Sequence, residues 1–317
     1  MLKARAMMNS AIRRFFDERG VLEVETPVLA QRSVTDPGLS PFQTEFRLPG
    51  VPEPVPLYLQ TSPEFAMKRL LAGGAGSIYQ IAKVFRNEER GRYHNPEFTL
   101  LEWYRPAFSL SDLIAEVEAL IGSLALRFGL ALQSPQRFSY AERFESVLGC
   151  HPLEASVGVF REVANQRGLP EASDLCGEDR SLWLDLLFSH FIQPGLGQGC
   201  LTSIYDYPAI LPSLAQISPT DVRFVERAEV FWNGTELGNG FHELLSPVEQ
   251  RARFEADLAR RKNLEMAVPG MDGRLLACLE SGLPPCAGIA LGLDRLLMIL
   301  VGAESIEQVL SFAIDRA

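Results

Sequence analysis

The sequence predicts an α+β protein, and three observations carry that reading. Apolar residues recur at helical spacing in several segments, short β-branched and aromatic runs lie between them, and an Asn-Gly dipeptide joins two of those runs. At 317 residues the chain suits one large domain or two ordinary ones, and 47% apolar with 22% charged residues marks it as globular.

Residues 3–19 read as a helix with Met8, Ile12, Phe15 and Phe16 on one face and Gly20 as its stop. Val21–Thr26 is a short β-branched strand closed by Pro27, which cannot donate to a ladder. The Pro-rich stretch from Pro37 to Pro56 reads as loop or edge structure. A short helix over 63–71 has Pro63 in its first turn. Ile78–Glu88 is then a strand, with Phe98–Tyr104 as its hairpin partner. Ser111–Leu126 is the clearest helix, with Leu113, Ile114, Val117, Leu120, Ile121 and Leu124 on one face. Helical stretches near Val159–Arg167 and Arg180–Phe191 suggest a helical insertion, roughly 108–200, before strands resume at about Val222. Trp183, Leu186, Leu187 and His190 share an apolar face there, so His190 is expected in the core rather than as a ligand. Arg227–Leu237 reads as a hairpin, because Asn233-Gly234 suits a type I′ turn. Gly288–Leu293 is a last strand running into a helix that carries Leu293, Leu296, Leu297 and Leu300.

The formal net charge of −10, with no block of basic residues, is the wrong footprint for broad nucleic-acid binding. The five cysteines, Cys150, Cys176, Cys200, Cys278 and Cys286, form no CxxC pair and have no His at ligand spacing, which argues against disulfides and structural zinc and for a cytoplasmic setting. Neither a secretory h-region nor an apolar run long enough to span a membrane is present.

Two Gly-rich stretches, Gly73–Gly76 and Gly195–Gly199, lack P-loop and dinucleotide-fold spacing and read as turns. Chemistry concentrates elsewhere. By strand alternation Arg86 and Glu88 share one face, and Phe98, Glu102 and Tyr104 share one face of the partner strand, so that one surface holds all five. That surface offers a guanidinium for phosphate or carboxylate, an aromatic plane for a base and carboxylates for ammonium groups. Across the Asn233-Gly234 turn, Phe231 is expected opposite Glu236, which puts Glu229 diagonal to Glu236 at about 7–8 Å between Cα atoms. Two like charges so placed invite Mg²⁺. In Gly288–Arg295, small residues let a ligand approach the strand, and Arg295 enters the first turn of the helix.

In this order these segments resemble the motifs of class II aminoacyl-tRNA synthetases over nearly the whole chain. Ser62-Pro63-Glu64 followed by Met67-Lys68-Arg69-Leu70, Phe85-Arg86-Asn87-Glu88, His94-Asn95-Pro96-Glu97-Phe98 and Glu236-Leu237-Gly238-Asn239-Gly240-Phe241-His242-Glu243 resemble the lysine-specific branch. The resemblance implies an antiparallel β-sheet flanked by helices, a single catalytic domain over 1–317, and a homodimer joined through the first helix and strand. It implies that Arg86 holds the α-phosphate of ATP and Arg295 the γ-phosphate as the catalytic pair. Phe98 would stack on adenine, Glu88 would read its edge, and His94 and Asn95 would lie in the covering loop. Glu229 and Glu236 would bind Mg²⁺, with Glu236 also at the ATP. Glu64 would receive the amino group of the amino acid, while Glu243, Glu102 and Tyr104 would face its side-chain ammonium. Ser62, Asn239, Ala290 and Gly292 belong to the same substrate-binding motifs.

Lysyl-tRNA synthetases carry an OB-fold anticodon-binding domain before this core, and here the first helix begins within a few residues of Met1. The expectation is therefore a short paralogue without that domain. Arg90–His94, Leu101–Pro106 and Ala290 in place of the usual Gly look like that paralogue's versions of the motifs. Such paralogues are ligases that activate (R)-β-lysine, and more weakly α-lysine, with ATP. They transfer it to the ε-amine of a lysine on elongation factor P. The rival readings are a minimal lysyl-tRNA synthetase, against which the acid excess argues, and an inactive synthetase-like module. Against the second stands the presence of Arg86, Glu229, Glu236 and Arg295.

Overall fold

A computed structural model describes residues 1–211 and 214–317. The chain divides into two compact units, Met1–Ser109 together with Glu243–Ala317, and Leu110–His242.

The first unit opens with helix α1 (Leu2–Asp17), which buries Met8, Ile12, Phe15 and Phe16 as its spacing requires. Phe16 stacks on Tyr79 with ring centroids 4.5 Å apart and meets Trp103 edge-on at 5.3 Å. Strand β1 is only Leu22–Glu23, shorter than the expected Val21–Thr26. It pairs parallel to the long strand beyond it, and at Thr26 the side-chain hydroxyl bonds Gln80 Oε1 at 2.9 Å. Strands β2 (Leu29–Ala30), β3 (Gln43–Phe46) and β4 (Val55–Leu59) form a small separate sheet in the order β2-β4-β3, so the Pro-rich segment does supply edge structure.

Helix α2 (Glu64–Ala72) follows, with Pro63 at its N-cap. Strands β5 (Ile78–Phe85) and β6 (Glu97–Pro106) form the expected antiparallel pair, with Val84 opposite Phe98 and Ile78 opposite Tyr104.

The second unit begins with α3 (Leu110–Arg127), whose apolar face is buried as expected. Strand β7 (Gln136–Ser139) and helix α4 (Tyr140–Leu148) come next, and Ser139 and Glu142 close a capping box at their junction. Helices α5 (Val157–Gln166), α6 (Ala172–Cys176) and α7 (Arg180–Leu187) lead to strand β8 (Thr202–Pro208). Strands thus resume well before Val222, which is itself exposed. β8 is buried at most positions and shows no alternation to betray it.

His190 is also not where helical spacing put it. A π-helical turn over Phe188–Ile192 follows α7, burying Phe188 and Ile192 and leaving His190 exposed, with Nδ1 at 3.1 Å from Leu186 O. The core here is aromatic: Tyr140, Phe144, Phe160, Trp183, Phe188 and Phe231.

Strands β9 (Phe224–Trp232) and β10 (Thr235–His242) form the Asn-Gly hairpin, with Asn233 at φ 49° and Gly234 at φ 72°. The second Gly-rich turn buttresses it. Leu196 and Gly197 carbonyls accept from Gly234 N and Asn233 N at 2.8 Å, and a Cβ on Gly197 would meet Phe231 O at 2.6 Å. β9 pairs antiparallel with β8, and β7 lies parallel beside β8.

The chain returns to the first unit through α8 (Pro247–Asn263) and α9 (Gly273–Gly282). Strand β11 (Cys286–Gly292) then pairs with β6, and α10 (Leu293–Val301) completes the run. No helix among the described residues is long and apolar enough to cross a membrane.

Candidate active site

The first unit buries a cluster of acidic residues. Helix periodicity places Glu64 and Lys68 one turn apart on α2, strand parity places Glu102 and Tyr104 on one face of β6, and Glu243 follows β10, tied to β11 by Glu243 N to Cys286 O at 2.9 Å. Lys68 Nζ lies 2.6 Å from Glu64 Oε1 and 2.5 Å from Glu243 Oε2. Tyr104 Oη donates to Glu102 Oε1 at 2.6 Å, and Ser62 Oγ donates to Glu102 Oε2 at 2.8 Å.

Lys68, Glu102 and Glu243 are 1–2% exposed. Burial, then repulsion from Glu64, raises the Glu102 carboxyl to about 7, against the opposing pull of Tyr104, Ser62 and Lys68. Burial raises Glu243 too, with Glu64 and Glu102 adding to it and Lys68 opposing. Burial alone would lower Lys68, but Glu243 and Glu64 outweigh it and hold the ammonium charged. Burial and the surrounding carboxylates raise Tyr104, so its phenol stays a donor.

Gly288 is required at this spot. It faces Tyr104 in register, and a Cβ there would lie 2.3 Å from the Tyr104 ring and 2.9 Å from Glu243 Oε1. Ala290 sits opposite Glu102, half-buried against the small cluster of Ala82, Val84 and Leu100. Gly292 caps α10 opposite Leu100. The sequence motifs included Lys68 and Gly288 but assigned them no role. For Lys68 the signal was its i+4 spacing from Glu64; for Gly288 it was a register that only pairing reveals.

At the far end of the same strands, Arg86 lies over the Phe98 ring at 5.0 Å and reaches Glu89 Oε1 at 3.4 Å. Glu88 corrects the strand-parity reading. β5 ends at Phe85, Asn87 N bonds Ser40 O, and Glu88 takes a left-handed φ of 67°, so Arg86, Phe98, Glu102 and Tyr104 share a surface that Glu88 leaves. Its exposed carboxylate accepts from Ser40 Oγ at 3.1 Å.

Arg295, in the first turn of α10, bonds Tyr93 O at 3.2 Å and approaches His94 Nε2 at 2.7 Å. Burial and then Arg295 lower the His94 pKa, which keeps the imidazole neutral and Nε2 able to accept. Asn95 is buried, donating to Glu97 O at 2.6 Å and accepting from Ile314 N at 3.3 Å. Beside Arg295, Asp294 is held by Arg5 and by Thr99 N at 2.6 Å, which fixes the helix start.

The second unit holds the other acidic group. Glu236 faces Phe231 as expected, but a bulge between Glu236 and Gly238 shifts the register by one, so Asn239 rather than Gly238 faces Glu229. Glu229 is buried rather than solvated. It is ion-paired with Arg227 and accepts from Tyr207 Oη at 2.6 Å. Arg227 was legible by parity, two residues before Glu229. Asn239 Oδ1 is buried without a hydrogen-bond partner. Two carboxylates and an orphaned amide oxygen on one face make a hard-oxygen set that fits Mg²⁺.

Comparison with known proteins agrees with this architecture. The model of the family "tRNA synthetases class II (D, K and N)" matches residues 1–316. An elongation factor P–(R)-β-lysine ligase of Vibrio cholerae is 50% identical over 316 residues, covering 100% of this chain and 96% of that protein. Ligases of the same name from Klebsiella pneumoniae and Edwardsiella ictaluri are 49% and 48% identical, each covering 100% of this chain and 95% of the relative. With its antiparallel strands flanked by helices and a family match that runs almost end to end, this chain belongs to the class II tRNA synthetase family (D, K and N).

Proposed function

We infer that this chain is an ATP-dependent ligase that activates (R)-β-lysine, and more weakly α-lysine, and joins it in amide linkage to the ε-amine of a lysine on elongation factor P. The observation that carries this reading is the identity of about half the residues, over the full chain, to ligases that bear that name. The acidic pocket supports it, since three carboxylates around Lys68 suit an amino acid with two ammonium groups.

In the first step the amino-acid carboxylate attacks the α-phosphorus of ATP and pyrophosphate leaves. Arg86 is proposed to hold the α-phosphate and Arg295 the γ-phosphate, stabilising charge as it develops. Phe98 stacks on adenine, Glu88 reads its edge, and His94 and Asn95 shape the covering loop. Glu229 and Glu236 would hold Mg²⁺, which supplies electrostatic neutralisation of the phosphates. Glu64 receives the reacting amino acid's nearer ammonium, and Glu243 with Glu102 and Tyr104 receives the distal one; Ser62, Asn239, Ala290 and Gly292 are each proposed as substrate-binding residues. In the second step the neutral acceptor amine attacks the mixed anhydride, forms the amide, loses a proton and releases AMP. The working form is proposed as a cytoplasmic homodimer joined through α1 and β1, in keeping with exposed Leu2 and Leu22.

Incubation with ATP, each lysine isomer and purified elongation factor P, read by intact mass, tests this. One lysyl mass on the protein with lysine tRNA left uncharged is expected. Efficient tRNA charging with no protein product would refute it.

A further inference from the structure

Every carboxylate around Lys68 has a proposed role, and Lys68 itself is the cation buried among them. We propose that Lys68 is the positioning residue that sets the charge of the amino-acid pocket, so that the pocket selects an amino acid with two ammonium groups. This rests on the functional reading of that pocket.

Lys68 is 1% exposed and spans two elements, from α2 to the segment after β10. It takes Glu64 Oε1 and Glu243 Oε2, leaving Glu64 Oε2 and Glu243 Oε1 to receive a ligand. The groups facing the cluster are Glu64 from α2, Glu102 and Tyr104 from β6, Glu243, Cys286 from β11, and Cys278 from α9, whose thiol donates to Lys68 O at 3.4 Å. Fully ionised, the three carboxylates against one ammonium carry a formal charge of −2, a state that burial disfavours in the free protein and that a cationic ligand draws out. A diamino acid whose carboxylate is the reacting group cancels that charge with its two ammonium groups. An amino acid with a neutral side chain leaves one buried carboxylate uncompensated, which is costly. Without Lys68 the same carboxylates, fully ionised, would carry −3, and the pH at which they ionise would rise further.

The side chain is therefore more than a filler of space. It holds both receiving carboxylates at a set separation and lowers the pH at which the cluster ionises. Substitution should act on amino-acid KM and on the pH profile, and leave ATP alone.

The test is amino-acid-dependent ATP–pyrophosphate exchange against pH for wild type, Lys68→Met and Lys68→Met/Glu102→Gln, with (R)-β-lysine, α-lysine and ATP each varied. Lys68→Met should lower amino-acid kcat/KM roughly a hundredfold at neutral pH, mostly through KM, with ATP KM within about twofold. Its acidic limb should move up by about one pH unit. The double variant restores a charge of −2 and should return the limb to the wild-type position with about tenfold of the loss recovered. A wild-type KM and pH profile in Lys68→Met overturns the proposal, as does equal loss for ATP and amino acid with no recovery in the double variant. If Lys68→Met does not fold, the double variant decides. Near-wild-type KM and pH limb support charge setting, whereas an unfolded double variant, or a folded one with KM still raised a hundredfold, overturns it. Absence of exchange by wild type with every lysine isomer fails the functional reading instead.

Discussion

Lys68 in the first unit faces Glu64, Glu102 and Glu243, and no second cation enters that pocket among the described contacts. In the second unit Arg227 pairs with Glu229 and Tyr207 donates to it, with Glu236 part-exposed across the bulge. Both clusters are acidic, yet they are built for different ligands. An enclosed surplus of carboxylate is stabilised by organic ammonium groups that bury with it. A buried carboxylate beside a part-exposed one and a buried amide oxygen without a hydrogen-bond partner suits a hydrated cation that brings phosphate oxygens of its own.

The largest expected effect tests the hairpin side of this contrast. Glu236→Gln should abolish pyrophosphate exchange, because metal stabilisation of phosphate charge is worth several kcal/mol, while calorimetric binding of the amino acid persists. Exchange at the wild-type rate would erase the distinction between the clusters.

Glu243→Gln probes the pocket and should produce the opposite pattern. Removing one member of a buried charge pair costs ~3–5 kcal/mol, so amino-acid kcat/KM should fall by roughly two to three orders of magnitude with ATP KM unchanged. Equal loss for both substrates would mean that Glu243 supports the whole site.

A smaller effect follows from pH. Glu102 has a folded-state pKa of about 7, above the ordinary Glu value of 4.5. A carboxyl raised by folding contributes stability that is full below the unfolded value and is lost as pH rises through about 7. Binding of a diammonium ligand runs the other way, since it needs the ionised carboxylate. The melting temperature of the free protein should therefore fall from pH 5 to pH 8 while the shift induced by lysine grows. Parallel pH dependences would contradict the raised Glu102.

The smallest effect is expected from Ala290→Gly, opposite Glu102 on β11. If the methyl crowds α-lysine, its removal should change the ratio of isomer activation by about tenfold, the low end of what a single methyl group contributes. An unchanged ratio with stability lowered by about 0.5–1 kcal/mol would assign the methyl to packing.

Periodicity made α1, α3 and the buried leucines of α10 legible, because 3.6-residue repetition of apolar residues has one low-energy burial. It could not announce the π turn after α7, which rotates His190 outward while Phe188 and Ile192 fill the core. β8 escaped because a strand buried along most of its length has no alternation to display. In the site, parity correctly grouped Arg86, Phe98, Glu102 and Tyr104. It failed at Glu88, where Ser40 pairs with Asn87 and the chain turns left-handed.

By itself the sequence determined which residues share a helix face or strand face, where the Asn233-Gly234 turn falls, and which family motifs the chain carries, since these depend on neighbours a few residues apart. Only the tertiary structure decided the bulge that sets Asn239 against Glu229, the need for Gly288 beside Tyr104, and the burial of Lys68 between Glu64 and Glu243. Those depend on groups distant in the chain. Their energies arise from packing and from charges removed from water, which no local pattern encodes.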